Sequence, residues 1–287
     1  MHTIDDLNHE ASELLNGAID LHAHAAPDPF AERKMDAREL VAAASEAGMA
    51  GVVLKSHEYP TEPLAWALNS EFDSIKVHGA IALDHGVGGL NPDALETALM
   101  IGTRVVWMPT FDSVWSRDTF GRFNSKGSPI TILNETGALK PVIHELLDLI
   151  SDHSALLCTG HLSPAETSLL VETARQRDIR TIVTHATAFG IPLEVQQRAA
   201  ELGAFIEQCG NVLFRNDPEK PTQAIVDEVA AIGAAPIVLS PDLGQVDNPP
   251  PPFGFGLWIQ CFLDSGFSNA EVLRMVQQNP KHALNEA

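Results

Sequence analysis

The sequence predicts an α/β fold, a single (β/α)8 barrel of the TIM type spanning residues 1–287. Two observations carry this prediction. The chain has 287 residues and 45% hydrophobic content, which suits one large core of barrel size, and no linker divides it. It also holds eight short apolar runs, most beginning about 23 to 32 residues after the one before, the length of a strand–helix unit.

The runs are Gly17–Leu21, Gly51–Leu54, Val77–Leu83, Arg104–Met108, Ala155–Cys158, Thr181–Val183, Ala204–Ile206 and Pro236–Leu239. The segments between them read as helices. Asp36–Ala47 repeats apolar residues at Ala37, Leu40, Val41 and Ala44, a 3.6-residue period. Pro164–Arg177 follows Ser163 as N-cap, with Pro164 in the first helical position and Glu166 three residues after the cap. Leu193–Leu202 and Thr222–Ile232 follow the same pattern. Met1–Asn16 reads as a short helix without the basic and apolar regions of a leader. About fifty residues separate the fourth run from the fifth, which places an insertion at 113–140 after the fourth strand. Gln245–Gly256 contains four consecutive prolines, Pro249 to Pro252, and is expected to be a rigid loop after the eighth strand.

Acidic residues outnumber basic ones by 38 to 18, and a net charge of −20 argues against nucleic acid and anionic membranes as partners. No run approaches the roughly 18 apolar residues of a membrane span. Cys158, Cys209 and Cys261 show no CxxC spacing, so neither a disulfide framework nor a cysteine zinc site is indicated. The chain reads as cytoplasmic.

The histidines are concentrated where the apolar runs end. Asp20-Leu21-His22-Ala23-His24 closes the first run, and residues two apart on a strand share a face. Cys158-Thr159-Gly160-His161 closes the fifth, Val183-Thr184-His185 the sixth, and Ser240-Pro241-Asp242 the eighth. In a parallel barrel these ends lie around one mouth. Imidazoles with a carboxylate suit zinc first, with manganese or iron as alternatives. The plainer reading is a set of polar residues that satisfy hydrogen bonds at strand termini.

This ordered set resembles the amidohydrolase superfamily, and its poorly characterised amidohydrolase-like members in particular. Asn279-Pro280-Lys281-His282-Ala283-Leu284 resembles the helix that follows the last strand there. The resemblance implies that His22, His24 and Asp242 bind a buried metal. His161 and His185 would bind a second, or His161 would complete a site for one metal and leave His185 as an acid–base group. Asp242 would double as the catalytic base. Many binuclear members bridge their metals with a carboxylated lysine or a glutamate from strand 4, and the fourth run here offers neither. Lys55, at the end of the second run, is then a carboxylated bridge, a ligand for a substrate carboxylate or phosphate, or an exposed lysine. His57 and Thr110 are candidate substrate-binding residues, and His57 could also be a further metal ligand. Asp84 and His85 end the third run as substrate-orienting or turn residues, and Glu207 is expected to support a ligating histidine. Phe111, Trp115, Phe120, Phe123, Phe253, Phe255 and Trp258 are assigned to the two long loops, where aromatics cover a mouth or pair copies into a homo-oligomer.

The expected function is metal-dependent hydrolysis of an amide, lactam, lactone or ester in a small-molecule substrate. The alternatives are a decarboxylase with one metal on the same barrel and a barrel that binds a metal or ligand without catalysis.

Overall fold

The computed structural model describes residues 6–121, 125–215 and 222–286. Among them lie nine parallel strands: β1 (Ile19–His24), β2 (Gly51–Lys55), β3 (Lys76–His78), β4 (Ala80–Ala82), β5 (Val105–Trp107), β6 (Leu156–Cys158), β7 (Thr181–Val183), β8 (Phe205–Cys209) and β9 (Ile237–Ser240). They correspond to the eight apolar runs because the third run breaks at Gly79 into β3 and β4. β3 pairs with β2 and β4 with β5, so hydrogen bonding divides the staves into the sheets β1-β2-β3 and β4-β5-β6-β7-β8-β9. The first and last staves meet at a parallel bridge between Ala23 and Leu243, where the His24 N–H donates to the Leu243 carbonyl at 2.9 Å. The result is the eight-stave arrangement of a (β/α)8 fold.

The helices are α1 (His9–Leu15), α2 (Ala37–Glu46), α3 (Glu62–Asn69), α4 (Pro92–Met100), α5 (Val114–Phe120), α6 (Pro141–Asp152), α7 (Pro164–Arg175), α8 (Leu193–Glu201), α9 (Thr222–Ile232), α10 (Pro251–Asp264), α11 (Asn269–Leu273) and α12 (Asn279–Leu284). α2 and α7 start at capping boxes, Asp36 with Glu39 and Ser163 with Glu166. Each such cap contributes about 1 kcal/mol.

Alternate residues of the strands fill the barrel interior: Ile19, Leu21, Val53, Ala80, Ala82, Val105, Trp107, Leu156, Cys158, Ile182 and Val238 form one cluster. Ala283 and Leu284 of α12 belong to the same cluster and close its lower end. Asn279 anchors α12 by donating to the carbonyls of Ala234 at 3.2 Å and Ile237 at 2.6 Å. The insertion after β5 contains α5 and the bridges Ser113–Ile130 and Leu133–Leu139. Glu166 of α7 ties it down by accepting from Thr131 Oγ1 at 2.6 Å and Ile132 N at 3.0 Å.

Two expectations are corrected. The proline run is a loop only to Pro250; Pro251 and Pro252 open α10, which runs through Gly256. Prolines fit the first helical turn because its N–H groups have no intrahelical partner. Phe253, Phe255 and Trp258 therefore belong to a helix and are buried, and they do not line the cavity at the strand ends. Phe123 lies outside the described residues. Among the described residues, no helix is long and apolar enough to cross a membrane.

Candidate metal centre

His22 and His24, two residues apart, share a side of β1, and a local slip turns that side towards the site. The register with β2 gains one residue between Asp20 and Ala23, a bulge of the kind that re-aims side chains beside sites. The Asp20 carboxylate accepts the His22 N–H at 2.8 Å and braces this turn of the strand.

Asp242 and His185 reach the same point through backbone that side chains rarely adopt. Their φ angles are +49° and +52°, in the left-handed region. Strain of this sort persists where surrounding structure enforces it. It carries each chain sharply off its strand end and turns both side chains inward. Gly160 has φ +63°, and a Cβ there would lie 2.3 Å from the Met108 carbonyl oxygen. Only glycine allows β6 to pass that close before delivering His161.

The ligand atoms converge. Asp242 Oδ1 lies 3.2 Å from His24 Nε2 and 3.5 Å from His22 Nε2, and Asp242 Oδ2 lies 3.7 Å from His185 Nε2. The His22 Nδ1–H donates to Glu207, 3.1 Å from Oε1, which leaves the Nε2 lone pair facing the site. A carboxylate behind an imidazole is the usual way to fix a ligating tautomer. His161 is buried beside Phe111, Phe189 and His185, and neither of its ring nitrogens has a protein partner; His24 Nδ1 is likewise unpaired. Buried unpaired imidazole nitrogens call for a ligand. Burial, aided by Lys55, lowers the His22 pKa to about 3, and burial lowers that of His185 to about 3. Burial also holds His24, His57 and His161 well below the ordinary imidazole value. Neutral imidazoles with a carboxylate within reach fit a divalent transition metal.

Lys55, the last residue of β2, is 3% exposed, which excludes the surface reading. Its Nζ lies 2.8 Å from His22 Nε2 and 5.0 Å from the centroid of the Trp107 ring. β5 thus offers Trp107 beneath the site, and Asp112 is occupied elsewhere by the N–H groups of His85 and Ser125. His57 and Thr110 come together, with His57 Nδ1 2.6 Å from Thr110 Oγ1. Thr110 in turn bonds to the buried carboxylate of Asp84, which also accepts the N–H groups of Thr110 at 2.7 Å and Asp112 at 3.1 Å. Asp84 is therefore a support for Thr110 and His57, whereas His85 turns away to the Ser128 carbonyl.

His24, Lys55, His57, His161, His185 and Asp242 line one cavity of about 130 Å³ at the strand ends, walled by Phe111 and Phe189. Several lining or supporting residues escaped sequence reading. Cys209 Sγ, 3.1 Å from His185 Nδ1, shares a strand face with Glu207 and was legible by that two-residue spacing. Asn211, which donates to Asp242 Oδ2, lies in the turn after β8, and Arg33 and Arg215 lie in loops; none carries a signal in sequence.

Residues 17–207 match the family described as a family of unknown function, DUF6282. No curated protein matches the chain. Among solved structures, an amidohydrolase from Pseudomonas aeruginosa is similar with 11% identity and a TM-score of 0.65, over 96% of this chain and 98% of that one. A lactonase from Listeria monocytogenes is similar with 14% identity and a TM-score of 0.64, over 94% and 95%. A TatD homologue from Escherichia coli K12 has 18% identity and a TM-score of 0.59, over 95% and 100%. At these identities the likeness is one of fold, and in fold the resemblance to amidohydrolases is borne out. The chain belongs to the DUF6282 family, built on the (β/α)8 barrel that amidohydrolases use.

Proposed function

We propose that the protein is a metal-dependent hydrolase acting on a carbonyl bond, an amide, lactam, lactone or ester, in a small molecule. One observation carries this reading: His22 Nε2, His24 Nε2 and Asp242 Oδ1 converge within 3.5 Å of the carboxylate oxygen, beside an unpartnered His161. The similarity in fold to an amidohydrolase and a lactonase points the same way. His22, His24 and Asp242 would hold the ion, with His161 and His185 completing its surroundings; zinc suits the set best. A divalent ion held there supplies a water of lowered pKa and polarises a carbonyl.

The chain's own groups do the rest. Glu207 keeps the His22 proton on Nδ1. Asp242 Oδ2, held by the Asn211 amide, is placed to take a proton from a water and return it to the leaving group. His185, 3.7 Å from that oxygen, can steady the charge that develops on the carbonyl oxygen. Phe111 and Phe189 give the cavity an apolar wall. The test is metal analysis of the purified chain, followed by assays of amide and lactone panels with and without chelator. Activity on any member that survives complete metal removal refutes the reading.

A second reading, decarboxylation with a single metal, has one observation in its favour. β5 supplies Trp107 where a bridging ligand would come from, which favours one ion. Release of carbon dioxide from a carboxylated substrate, with one metal per chain, selects it.

A further inference from the structure

Lys55, Arg33 and Arg215 all line the same cavity, in a chain with only 18 basic residues against 38 acidic ones. Among the described residues, the one carboxylate lining it is Asp242. Arg33 is neutralised: its Nε and Nη2 bond to Asp28 Oδ2 at 2.9 and 2.5 Å. Among the described residues, no carboxylate is bonded to Lys55 or Arg215 in that way. Lys55 Nζ contacts the imidazole of His22 and the face of Trp107, both uncharged partners. Arg215 reaches across to Asn211 Oδ1 at 3.4 Å, and Asn211 in turn holds Asp242.

From this balance of charge we infer that the substrate carries a carboxylate, held by Lys55 and Arg215. The inference rests on the metal reading above and deepens it. With a divalent ion in place, Asp242 at the cavity, Glu207 behind His22 and Asp84 behind Thr110 would be the carboxylates among the described residues set against the ion, Lys55 and Arg215. Lys55 is buried and Arg215 half-buried; a buried charge short of counter-charge is costly, so the missing negative charge arrives with the substrate. With His22 Nε2 given over to an ion, Lys55 Nζ, which already lines the cavity, would be left for a substrate group. A carboxylate fits better than a phosphate. No glycine is among the lining residues, so the donors are side chains and no loop of backbone N–H groups is offered to a phosphate.

The test uses the zinc-loaded full chain, with succinate and its neutral analogue succinamide as probes in calorimetric titration. Succinate is expected to bind at least about tenfold tighter than succinamide. Arg215→Gln and Lys55→Met should each remove most of that preference while zinc content is unchanged, and Arg215→Lys should retain much of it. Equal affinity for the two probes overturns the inference. So does succinate binding that is unmoved in a zinc-replete Arg215→Gln chain, because the metal alone would then be the receptor. A chain that takes up no zinc but still prefers succinate through Arg215 removes the metal reading and leaves the carboxylate site standing. A zinc-bound chain without the preference does the reverse.

Discussion

The Nζ of Lys55 lies 2.8 Å from Nε2 of His22, the atom that His22 would offer to a metal. A cation and a metal compete for one lone pair, and a charged ammonium beside a divalent ion repels it. Replacing Lys55 by Met is therefore expected to tighten zinc binding by about tenfold or more, measured by competition with a chelating dye. Loss of zinc in this variant would instead identify Lys55 as a ligand, as a carboxylated bridge requires.

Glu207 fixes the tautomer of His22 from behind. Glu207→Gln keeps the shape but weakens the acceptor, and zinc affinity should fall about 10- to 100-fold. The folded structure should persist, as judged by circular dichroism. Unchanged affinity would mean that packing alone orients the imidazole.

Asp242 sits at φ +49°. Asparagine tolerates this region nearly as well as aspartate, and alanine does not. Asp242→Asn should then fold and lose at least about a hundredfold in kcat, the contribution of a positioned base. Asp242→Ala should in addition lower the thermal midpoint. Equal thermal midpoints for the two variants would show that the backbone there is not strained.

Acid should destabilise the metal-free chain. His22 and His185 have folded-state pKa values of about 3 against 6.5 when unfolded. Between these values the unfolded chain binds protons that the folded chain refuses, so stability falls as pH drops from 6.5 towards 3. Each such histidine contributes about 1.4 kcal/mol per pH unit in that window. Urea unfolding in the presence of chelator, followed from pH 7 to pH 4, measures the slope. Burial raises Asp20 to about 8 and Asp84 to about 7, and these folded-state protons offset two of the histidines. His24, His57 and His161, also held low by burial, keep the net slope destabilising towards acid, and a flat or rising profile contradicts the burial of neutral imidazoles.

Thr110 links His57 to the buried carboxylate of Asp84. Thr110→Val removes the hydroxyl and strips a hydrogen bond from each neighbour, at a cost of about 1–3 kcal/mol in stability. Denaturant midpoints test the cost. Once a substrate is found, a rise in KM exceeding the fall in kcat would place His57 in substrate binding.

Much of the barrel was legible in the sequence because its causes are local. The apolar runs alternate with capped, periodic helices, and the residues that end those runs fall on one rim by the rules of parallel sheets. His22, His24, His161, His185 and Asp242 could be named for that reason, and Glu207 could be assigned to support a histidine. The first turn of α10 was not legible, because four prolines in a row read as a loop until the start of a helix claims the last two.

Tertiary structure alone decided the rest. The inward turn of His185 and Asp242 depends on left-handed backbone that a sequence does not announce. The approach of Lys55 to His22, the Asn211 amide on Asp242, and the gathering of Arg33 and Arg215 at one cavity join residues from separate loops and strands. Periodicity reports which face of an element is buried. Which polar atoms meet once the staves come together depends on register, bulges and loop paths, and only the folded chain sets those.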